Sequence, residues 1–300
     1  MRMSASCNPG SPMVAGPRMA HSRVMVATTS GRVALITGAS AGIGLATAER
    51  LAALGWTVVG ASRRGTGHPP AWTGLVMDVD DDGSVERGVA SVVTEHGRID
   101  ALVACAGWGL AGAVEQTPVS DAKAQLETNF FGVARAVRAA LPPMRRQGGG
   151  RVVLVSSLAG VIGIPFQAYY SASKFAMEGY GEALAYEVAN FGIHVTLVQP
   201  GNIRTEFTKS RRDVEVVLAE EDSSDPYAES VEKAVGIMER DEQGGAAPET
   251  VAATIEKVLH ARRPPRRVSV GKLDERAGTF AKRLLPYRVF ERAARSSLGV

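Results

Sequence analysis

The chain is poor in cysteine. Only two of its 300 residues are cysteines, Cys7 and Cys105. Two thiols cannot form the dense framework that stabilises small secreted domains, which excludes a disulfide-rich extracellular scaffold. Cys105 ends an apolar run and is expected to be a buried thiol in a reducing compartment. We therefore expect a cytoplasmic protein.

The chain also lacks a long apolar run. The longest, residues 152–166, is interrupted by Ser156, Ser157 and Pro165, whereas a membrane-spanning helix needs about 20 predominantly apolar residues. Residues 1–30 contain three arginines and no acidic residue, and they lack the apolar core of a secretory signal. We expect a disordered extension over residues 1–30, with a transit peptide as the alternative.

Excess positive charge is confined to the two ends. The net charge is +3, but the segment from His260 onward has eleven Lys and Arg against three acidic residues, and residues 1–30 add three arginines. The remainder therefore carries a net charge of about −8. An acidic body argues against a nucleic-acid partner.

Apolar segments of strand length alternate with helical patterns along the chain. With 45% hydrophobic residues, the chain can bury one large core. The alternation predicts an α/β fold, a doubly wound parallel sheet of the Rossmann-like type, with ligands outside the carboxyl ends of the strands. The predicted strands are Val33–Thr37, Thr57–Ala61, Leu75–Asp78, Ala101–Cys105, Val152–Ser156, Val195–Gln199 and Val268–Val270.

The predicted organisation is one domain with a lid and a tail. The domain covers residues 31–271, and the charged, irregular stretch 206–245 is predicted to be a substrate lid. Residues 272–300 form a basic amphipathic tail, which Pro286 should break into two short helices. The apolar side of the tail either covers the protein's own pocket or a subunit contact, or makes a peripheral contact with an anionic membrane. Its apolar residues are Leu273, Phe280, Leu284, Leu285, Val289 and Phe290.

A glycine cluster lies between the first predicted strand and the first predicted helix. It reads Thr37-Gly38-Ala39-Ser40-Ala41-Gly42-Ile43-Gly44. Glycine permits a tight turn and a close approach of backbone to phosphate, and a helix N-terminus attracts an anion. The cluster alone could be a plain turn, but in this position it predicts a dinucleotide site.

Tyr170 and Lys174 are four residues apart, and Ser157 precedes the tyrosine by thirteen. Positions i and i+4 share a helix face, so the lysine cation can lie beside the phenol and lower its pKa from the usual value of about 10. A serine hydroxyl nearby could hold a carbonyl or alcohol oxygen, which completes a general acid/base site. The spacing alone is also typical of a surface pair on a helix.

Together these motifs resemble the short-chain dehydrogenase/reductase family over about residues 31–207. The run from Ser156 through Tyr170 to Gly179 is most similar to the hydroxysteroid and retinol dehydrogenase side of the family. The matched residues occur in the order of the family; they are the glycine loop, Asp78-Val79, Ala106-Gly107, Asn129, Ser157, Tyr170, Lys174, Pro200-Gly201 and Thr205.

The resemblance implies a role for each matched residue. Tyr170 is the general acid/base, Lys174 binds the nicotinamide ribose, and Ser157 orients the reacting oxygen. Asn129 anchors a water that relays protons to Lys174, although an asparagine within a helix commonly makes only a local backbone bond. No metal ion is expected. The implied cofactor-binding residues are Gly38, Ser40, Gly42, Ile43, Gly44, Asp78, Val79, Ala106, Gly107, Tyr170, Lys174, Pro200, Gly201 and Thr205.

The end of the second predicted strand indicates which cofactor is bound. NAD binders typically carry an acidic residue there, which binds the ribose 2′-hydroxyl. Here Ser62 takes that place, and Arg63 and Arg64 follow, with donors suited to a 2′-phosphate. We therefore predict NADP(H) rather than NAD(H). The alternative is that both arginines merely cap the strand and face water.

The chain departs from the family at Ala104-Cys105-Ala106-Gly107, where the family usually has Asn-Asn-Ala-Gly. The missing amides normally help to hold the central sheet and the cofactor edge. Their loss puts stability or cofactor affinity in question, but it removes no proton-transfer group.

The residues expected near the pocket are apolar, which favours a small lipophilic alcohol or carbonyl substrate. An NADP(H)-dependent oxidoreductase is the favoured function, and a cofactor-binding regulatory or scaffolding protein without turnover is the alternative. By analogy with the family, a homo-oligomer is expected. The expected pocket residues are Trp108, Leu110, Leu158, Val161, Ile162, Pro165, Phe166 and Phe207.

Overall fold

The computed structural model describes residues 31–68, 70–207, 211–214 and 225–298. Its strands are β1 (Val33–Thr37), β2 (Thr57–Ser62), β3 (Thr73–Val76), β4 (Ala101–Ala104), β5 (Leu110–Ala111), β6 (Gly150–Val155), β7 (Ile193–Pro200), β8 (Arg212–Asp213) and β9 (Arg267–Val270). Seven of them form one sheet in the order β3-β2-β1-β4-β6-β7-β9, with every pairing parallel. The strand order steps outward from β1 in both directions, which confirms the predicted doubly wound fold.

Helices connect the strands and cover both faces of the sheet. Asn129 lies on a single π-helical turn, Glu127–Phe131, between two α-helices. The α-helices are α1 (Gly42–Ala53), α2 (Asp82–His96), α3 (Val119–Leu126), α4 (Gly132–Arg146), α5 (Ala168–Glu187), α6 (Ala228–Gln243), α7 (Pro248–His260), α8 (Leu273–Leu284) and α9 (Tyr287–Leu298).

The core consists of two clusters, one on each face of the sheet. Leu35 and Leu102 belong to one cluster, and their chain neighbours Ile36 and Val103 belong to the other. This alternation follows from the period of two along a strand. Because helices cover both faces, β1 and β4 are buried along their whole length.

α5 lies unusually close to the sheet because Gly181 has no side chain. A Cβ at this position would lie 2.9 Å from Leu154 Cδ1 and 3.0 Å from Leu197 Cδ2. Met177, one turn earlier, is fully buried in the same interface. The N-terminal half of α5, which carries Tyr170 and Lys174, is thereby held at the carboxyl end of β6.

All seven predicted strands are present, with small shifts of their ends. The third was predicted over Leu75–Asp78 but spans Thr73–Val76. The Asp78 N–H donates to Ser84 Oγ at 3.0 Å, which turns the chain from the strand into α2. The fourth ends one residue early, at Ala104. The two-residue strands β5 and β8, which pair in parallel, were not predicted.

The tail forms two short helices, α8 and α9, as predicted from the position of Pro286. The described part of the predicted lid contains β8 and α6, whereas residues 208–210 and 215–224 lie outside the described residues. The predicted extension over residues 1–30 also lies outside them. Within the described ranges, no helix is both long and apolar enough to cross a bilayer.

Candidate active site

The glycine loop joins β1 to α1 at the carboxyl edge of the sheet. Gly38 and Gly42 have φ angles of +70° and +53°, which glycine adopts without strain. A Cβ on Gly44 would lie 2.3 Å from the Gly38 carbonyl oxygen, so only glycine lets α1 begin directly against the loop. Ser40 and Ile43 line the same cleft. The free N–H groups at the start of α1 suit a phosphate.

One end of the cleft is formed by the residues that follow β2. The Ser62 hydroxyl is buried and has no hydrogen-bond partner within the described part of the chain. Arg63 and Arg64 are exposed beside it and line the same cleft. An orphaned buried hydroxyl next to two guanidinium groups fits a polar, anionic ligand, so the residues present suit the ribose end of a dinucleotide.

Asp78 and Val79 lie beside this end of the cleft. The Asp78 carboxylate accepts a hydrogen bond from the Asp80 N–H at 3.1 Å, so it serves the turn into α2. Val79 packs against Gly132, where a Cβ would lie 2.8 Å from Val79 Cγ2. Asp78 therefore has the structural role of a turn residue and also faces the cofactor cleft.

The opposite end of the cleft is bounded by the chain after β7. The Gly201 N–H donates to the Val270 carbonyl at 2.7 Å, which fixes the Pro200-Gly201 turn. Thr205 lies over the glycine loop, since a Cβ on Gly42 would be 3.3 Å from Thr205 Cβ. Ala106 and Gly107 complete the floor of the same cleft.

Tyr170, Ser157 and Lys174 meet where β6 ends. Ser157 is the second residue after the strand, and its hydroxyl lies beside the Tyr170 phenol. The Lys174 Nζ donates to the Val155 carbonyl at 3.0 Å and lies 5.7 Å from the centroid of the Tyr170 ring. Ser156 is buried, and its hydroxyl lies against Gly160. The structure thus brings the three predicted groups together and separates Ser156 from them.

Burial controls the ionisation of both groups. It raises the pKa of Tyr170 to about 12, while the hydrogen bond with Ser157 lowers it and the charge of Glu242 raises it further. Burial also lowers the pKa of Lys174 to about 8, partly offset by Cys105 and Glu178. The expected lowering of the Tyr170 pKa by Lys174 is therefore wrong for this structure, because desolvation disfavours the charged form of each group.

Asn129 makes long-range bonds rather than the local bond of an ordinary helical asparagine. Its side chain accepts from the Trp108 N–H at 3.0 Å and donates to the Trp108 carbonyl at 2.9 Å. It also donates to Ser173 Oγ at 3.2 Å. A Cβ on Gly107 would lie 3.0 Å from Asn129 Oδ1 and 3.8 Å from Lys174 Nζ, so both groups border this glycine. The π-helical turn presents Asn129 to this contact, a common use of π-bulges.

The Thr37 side chain links the end of β1 to the segment that follows β4. Its Oγ1 accepts hydrogen bonds from the N–H groups of Cys105 and Ala106, at 3.2 and 3.3 Å. Burial raises the pKa of the Cys105 thiol to about 12, so the thiol stays protonated at neutral pH. This role of Thr37 was not predicted, although Thr37 is the first residue of the glycine motif.

The cleft has a volume of about 1300 Å³, and more of its lining surface is apolar than polar. Of the predicted pocket residues, Trp108, Leu158, Ile162, Pro165 and Phe207 line it. Leu110, Val161 and Phe166 do not. Leu110 is buried in β5, and the Val161 carbonyl is bonded to Lys282. The Phe207 ring lies 5.6 Å from the Tyr170 ring, centroid to centroid.

The tail also contributes residues to the lining of the cleft, none of which was predicted by name as a pocket residue. Gly278, Ala281 and Leu285 from the α8 segment line the cleft, as do Phe290 and Ala294 from α9. The Glu275 carboxylate accepts from Asn202 Nδ2 at 2.9 Å, which ties α8 to the turn after β7. Of the six apolar tail residues named from the sequence, Leu285 and Phe290 line the cleft.

The family model of the short chain dehydrogenases matches residues 32–215, more than half of the chain. The chain belongs to this family. It is 41% identical over 264 residues to the 3-ketodihydrosphingosine reductase of Bacteroides thetaiotaomicron, covering 88% of this chain and 97% of that protein. It is 37% identical over 253 residues to retinol dehydrogenase 8 of Bos taurus, covering 79% and 80%.

A solved short-chain dehydrogenase from Streptomyces avermitilis superposes with a TM-score of 0.75, at 35% identity, covering 89% of this chain and 98% of that one. The predicted family is thus confirmed, on its hydroxysteroid and retinol dehydrogenase side. This short-chain dehydrogenase is an oxidoreductase that acts on CH–OH groups with an NAD(P) cofactor.

The lowered pKa of Lys174 predicts a pH-dependent stability. Between about pH 8 and pH 10.5 the unfolded chain binds a proton that the folded state has released, so stability rises with pH across this window. Relative to Lys174→Met, the free energy of unfolding of the wild type should rise by about 3 kcal/mol between neutral pH and pH 10.5. Denaturant unfolding at a series of pH values measures this difference.

The matched control is Lys257→Met, which removes an exposed lysine from α7. The difference in the free energy of unfolding between Lys257→Met and the wild type should stay constant across the same pH range. A constant difference for Lys174→Met as well would contradict the burial of a titrating cation at this position.

Proposed function

We propose that this short-chain dehydrogenase is an NADP(H)-dependent reductase of lipophilic ketones or aldehydes, with Tyr170 as the general acid/base. The observation that carries the proposal is the meeting of Tyr170, Ser157 and Lys174 at the end of β6, on the wall of a cleft with a glycine loop at its other side. The intact Asn129, Ser157, Tyr170 and Lys174 favour turnover over a purely regulatory or scaffolding role.

The protonation state of Tyr170 is compatible with reduction. A phenol with a pKa of about 12 keeps its proton at neutral pH, so it can donate that proton to a carbonyl oxygen. Ser157, bonded to the same phenol, can hold the carbonyl oxygen in place. When bound, the nicotinamide supplies the hydride. Lys174 would hold the nicotinamide ribose, and Asn129 would keep the wall around Gly107 in position.

The preference for NADP(H) is proposed from the end of β2. The orphaned Ser62 hydroxyl and the two exposed arginines beside it suit a 2′-phosphate, and no acidic side chain follows the strand there. The remaining expectations stay predictions at this point. They are the homo-oligomer, the cytoplasmic location, the substrate lid over 206–245 and the peripheral membrane contact.

The substrate that we propose is a long-chain amino ketone. The relative that is 41% identical is named for 3-ketodihydrosphingosine, a long-chain ketone with an amino group next to the carbonyl. An apolar cleft suits the chain, and a carboxylate near the acid suits the amine. Glu242 lines the cleft, and its charge acts on Tyr170. Its carboxylate already pairs with the buried Arg211 at 3.1 Å. We propose that the same carboxylate also binds an ammonium group next to a carbonyl that Tyr170 protonates.

Replacement of Tyr170 by Phe tests the catalytic proposal. Tyr170→Phe keeps the ring but removes the proton, so turnover should fall by a factor on the order of 10² to 10⁴. NADPH binding, measured by fluorescence titration, should stay intact. The matched control is Tyr169→Phe on the same helix, which should keep wild-type turnover. A Tyr170→Phe enzyme with wild-type turnover would refute the assignment.

The cofactor preference is tested at the end of β2. Ser62→Asp combined with Arg63→Ala replaces a cation by an anion near the 2′-phosphate. Since a charge-assisted hydrogen bond is worth roughly 1.5–3 kcal/mol, the ratio of kcat/KM for NADPH to that for NADH should fall tenfold or more. Arg64→Ala, measured in parallel, shows whether the second arginine contributes. An unchanged ratio in both variants means that neither arginine binds the phosphate.

The proposed amine contact is tested at Glu242. Glu242→Gln should lower kcat/KM roughly tenfold or more for a long-chain 2-amino ketone, because one charge-assisted hydrogen bond is lost. The kcat/KM of this variant for the same ketone without the amine should equal that of the wild type. The control is Glu239→Gln, because Glu239 and Glu242 both pair with Arg211, at 3.2 and 3.1 Å, but Glu239 does not line the cleft. Equal losses for both ketones would point to a damaged lid instead.

A further inference from the structure

The tail helices have two different faces. The face of α8 that lines the cleft contains Gly278 and Ala281, and Leu285 follows the helix on the same side. The opposite face carries Leu273, Phe280 and Leu284, which are exposed to 80%, 65% and 81%. Their spacing of seven and four residues places them in one row. The large apolar side chains of α8 therefore point away from the protein.

The row continues onto α9. Tyr287 is 75% exposed and Val289 is 52% exposed. In the described part of the chain, six of the fourteen large exposed apolar side chains lie between Leu273 and Val289. We call this surface, formed by Leu273, Phe280, Leu284, Tyr287 and Val289, the outer tail face. So dense an apolar surface indicates a binding site rather than ordinary exposure.

Basic side chains border the outer tail face. Arg276 lies on the outer side of α8, and Arg288, Arg292 and Arg295 follow one another at helical spacing on α9. Among the residues that the structure describes, no carboxylate lies within ion-pair distance of any of these four arginines. The surface thus combines exposed apolar groups with four arginines that form no ion pair within the described residues, and Glu291 is the one acidic residue of α9.

The position of α8 is fixed by contacts on its inner side. Lys282 Nζ donates to the Val161 carbonyl at 2.6 Å and lies 5.1 Å from the centroid of the Phe175 ring. Glu275 accepts from Asn202 on the same side. Because these contacts fasten the inner side, α8 cannot turn its outer row into the cleft without breaking them. The outer tail face can therefore be covered only by a molecule other than the described part of this chain.

We propose that the outer tail face docks on an anionic lipid bilayer, with the substrate cleft beneath α8 facing the membrane. Apolar side chains beside a row of cations match the boundary between acyl chains and acidic headgroups. The choice of a lipid as substrate rests on the proposed function. Docking in this orientation shortens the path of a lipophilic substrate from the bilayer to Tyr170.

A second copy of the chain fits this surface less well. A two-fold contact pairs the same patch of both subunits. The arginine row of one subunit would then oppose the arginine row of the other, with only Glu291 on each α9 to offset part of the charge. The centre of a protein interface is also typically depleted of charge. An anionic bilayer supplies the missing counter-charge instead.

Vesicle co-sedimentation of the full chain tests the proposal. One set of vesicles contains phosphatidylcholine alone, and the other adds phosphatidylserine to about 30%. The wild type should sediment with the anionic vesicles at low salt and be released at high salt. Phe280→Ser with Leu284→Ser removes two apolar groups, and Arg288→Gln with Arg292→Gln removes two cations. Each pair should weaken binding on the order of tenfold or more.

Matched controls keep the number and type of changes constant. Leu54→Ser with Val119→Ser alters two apolar residues that are exposed elsewhere, and Arg262→Gln with Arg263→Gln alters two exposed arginines before β9. Both controls should bind as the wild type does. Circular dichroism and NADPH titration establish that each variant is folded.

Three results would overturn the proposal. The wild type could stay in the supernatant with anionic vesicles at low salt, or the tail variants could bind as tightly as the controls. The third result comes from sedimentation velocity without vesicles. If Phe280→Ser with Leu284→Ser has a lower mass than the wild type, the outer tail face is a contact between two copies of the chain. Tyr170→Phe should bind vesicles as the wild type does, so a failure of the proposed catalysis is distinguishable from a failure of the membrane contact.

Discussion

The burial of the Lys174 ammonium is the constraint on which the rest of the site depends. A cation that is 6% exposed needs a fixed acceptor, and the Val155 carbonyl at the end of β6 provides one at 3.0 Å. That contact requires α5 to lie close to the sheet, which Gly181 allows. Once Lys174 is placed, Tyr170 lies one turn earlier on the same face. Ser157 is the second residue after β6, so the end of the same strand places it beside the phenol.

Much of the fold was predictable because the signals that specify it are local. Buried parallel strands are continuous apolar runs, and all seven were found from composition and turn residues. The Tyr170–Lys174 spacing and the glycine loop are also local, so their positions on α5 and before α1 followed from the sequence. β5 and β8 were missed because two residues carry no periodicity, and their pairing is decided by contacts across more than 100 residues.

The ionisation of the site could not be predicted in the same way. The charge of a neighbouring lysine is visible in the sequence, and it suggested a lowered pKa for Tyr170. The depth of burial is a property of the assembled structure, and it raises that pKa instead. The same holds for Thr37, whose hydroxyl serves the N–H groups of Cys105 and Ala106 only because β1 and β4 are neighbours.

The tail shows why an amphipathic pattern predicts helices but not the side that faces the protein. α8 approaches Gly201 and Gly271 so closely that a Cβ at these glycines would lie 2.1 and 2.5 Å from Glu275 Oε2. This contact of Glu275, together with the bond from Lys282 to the Val161 carbonyl, fixes which side of α8 faces the protein. Gly278 and Ala281 then line the cleft, and Phe280 and Leu284 lie on the exposed side, although the burial of large apolar side chains would favour the reverse. Polar contacts at the cofactor end of the cleft thereby leave Phe280 and Leu284 available to a lipid surface.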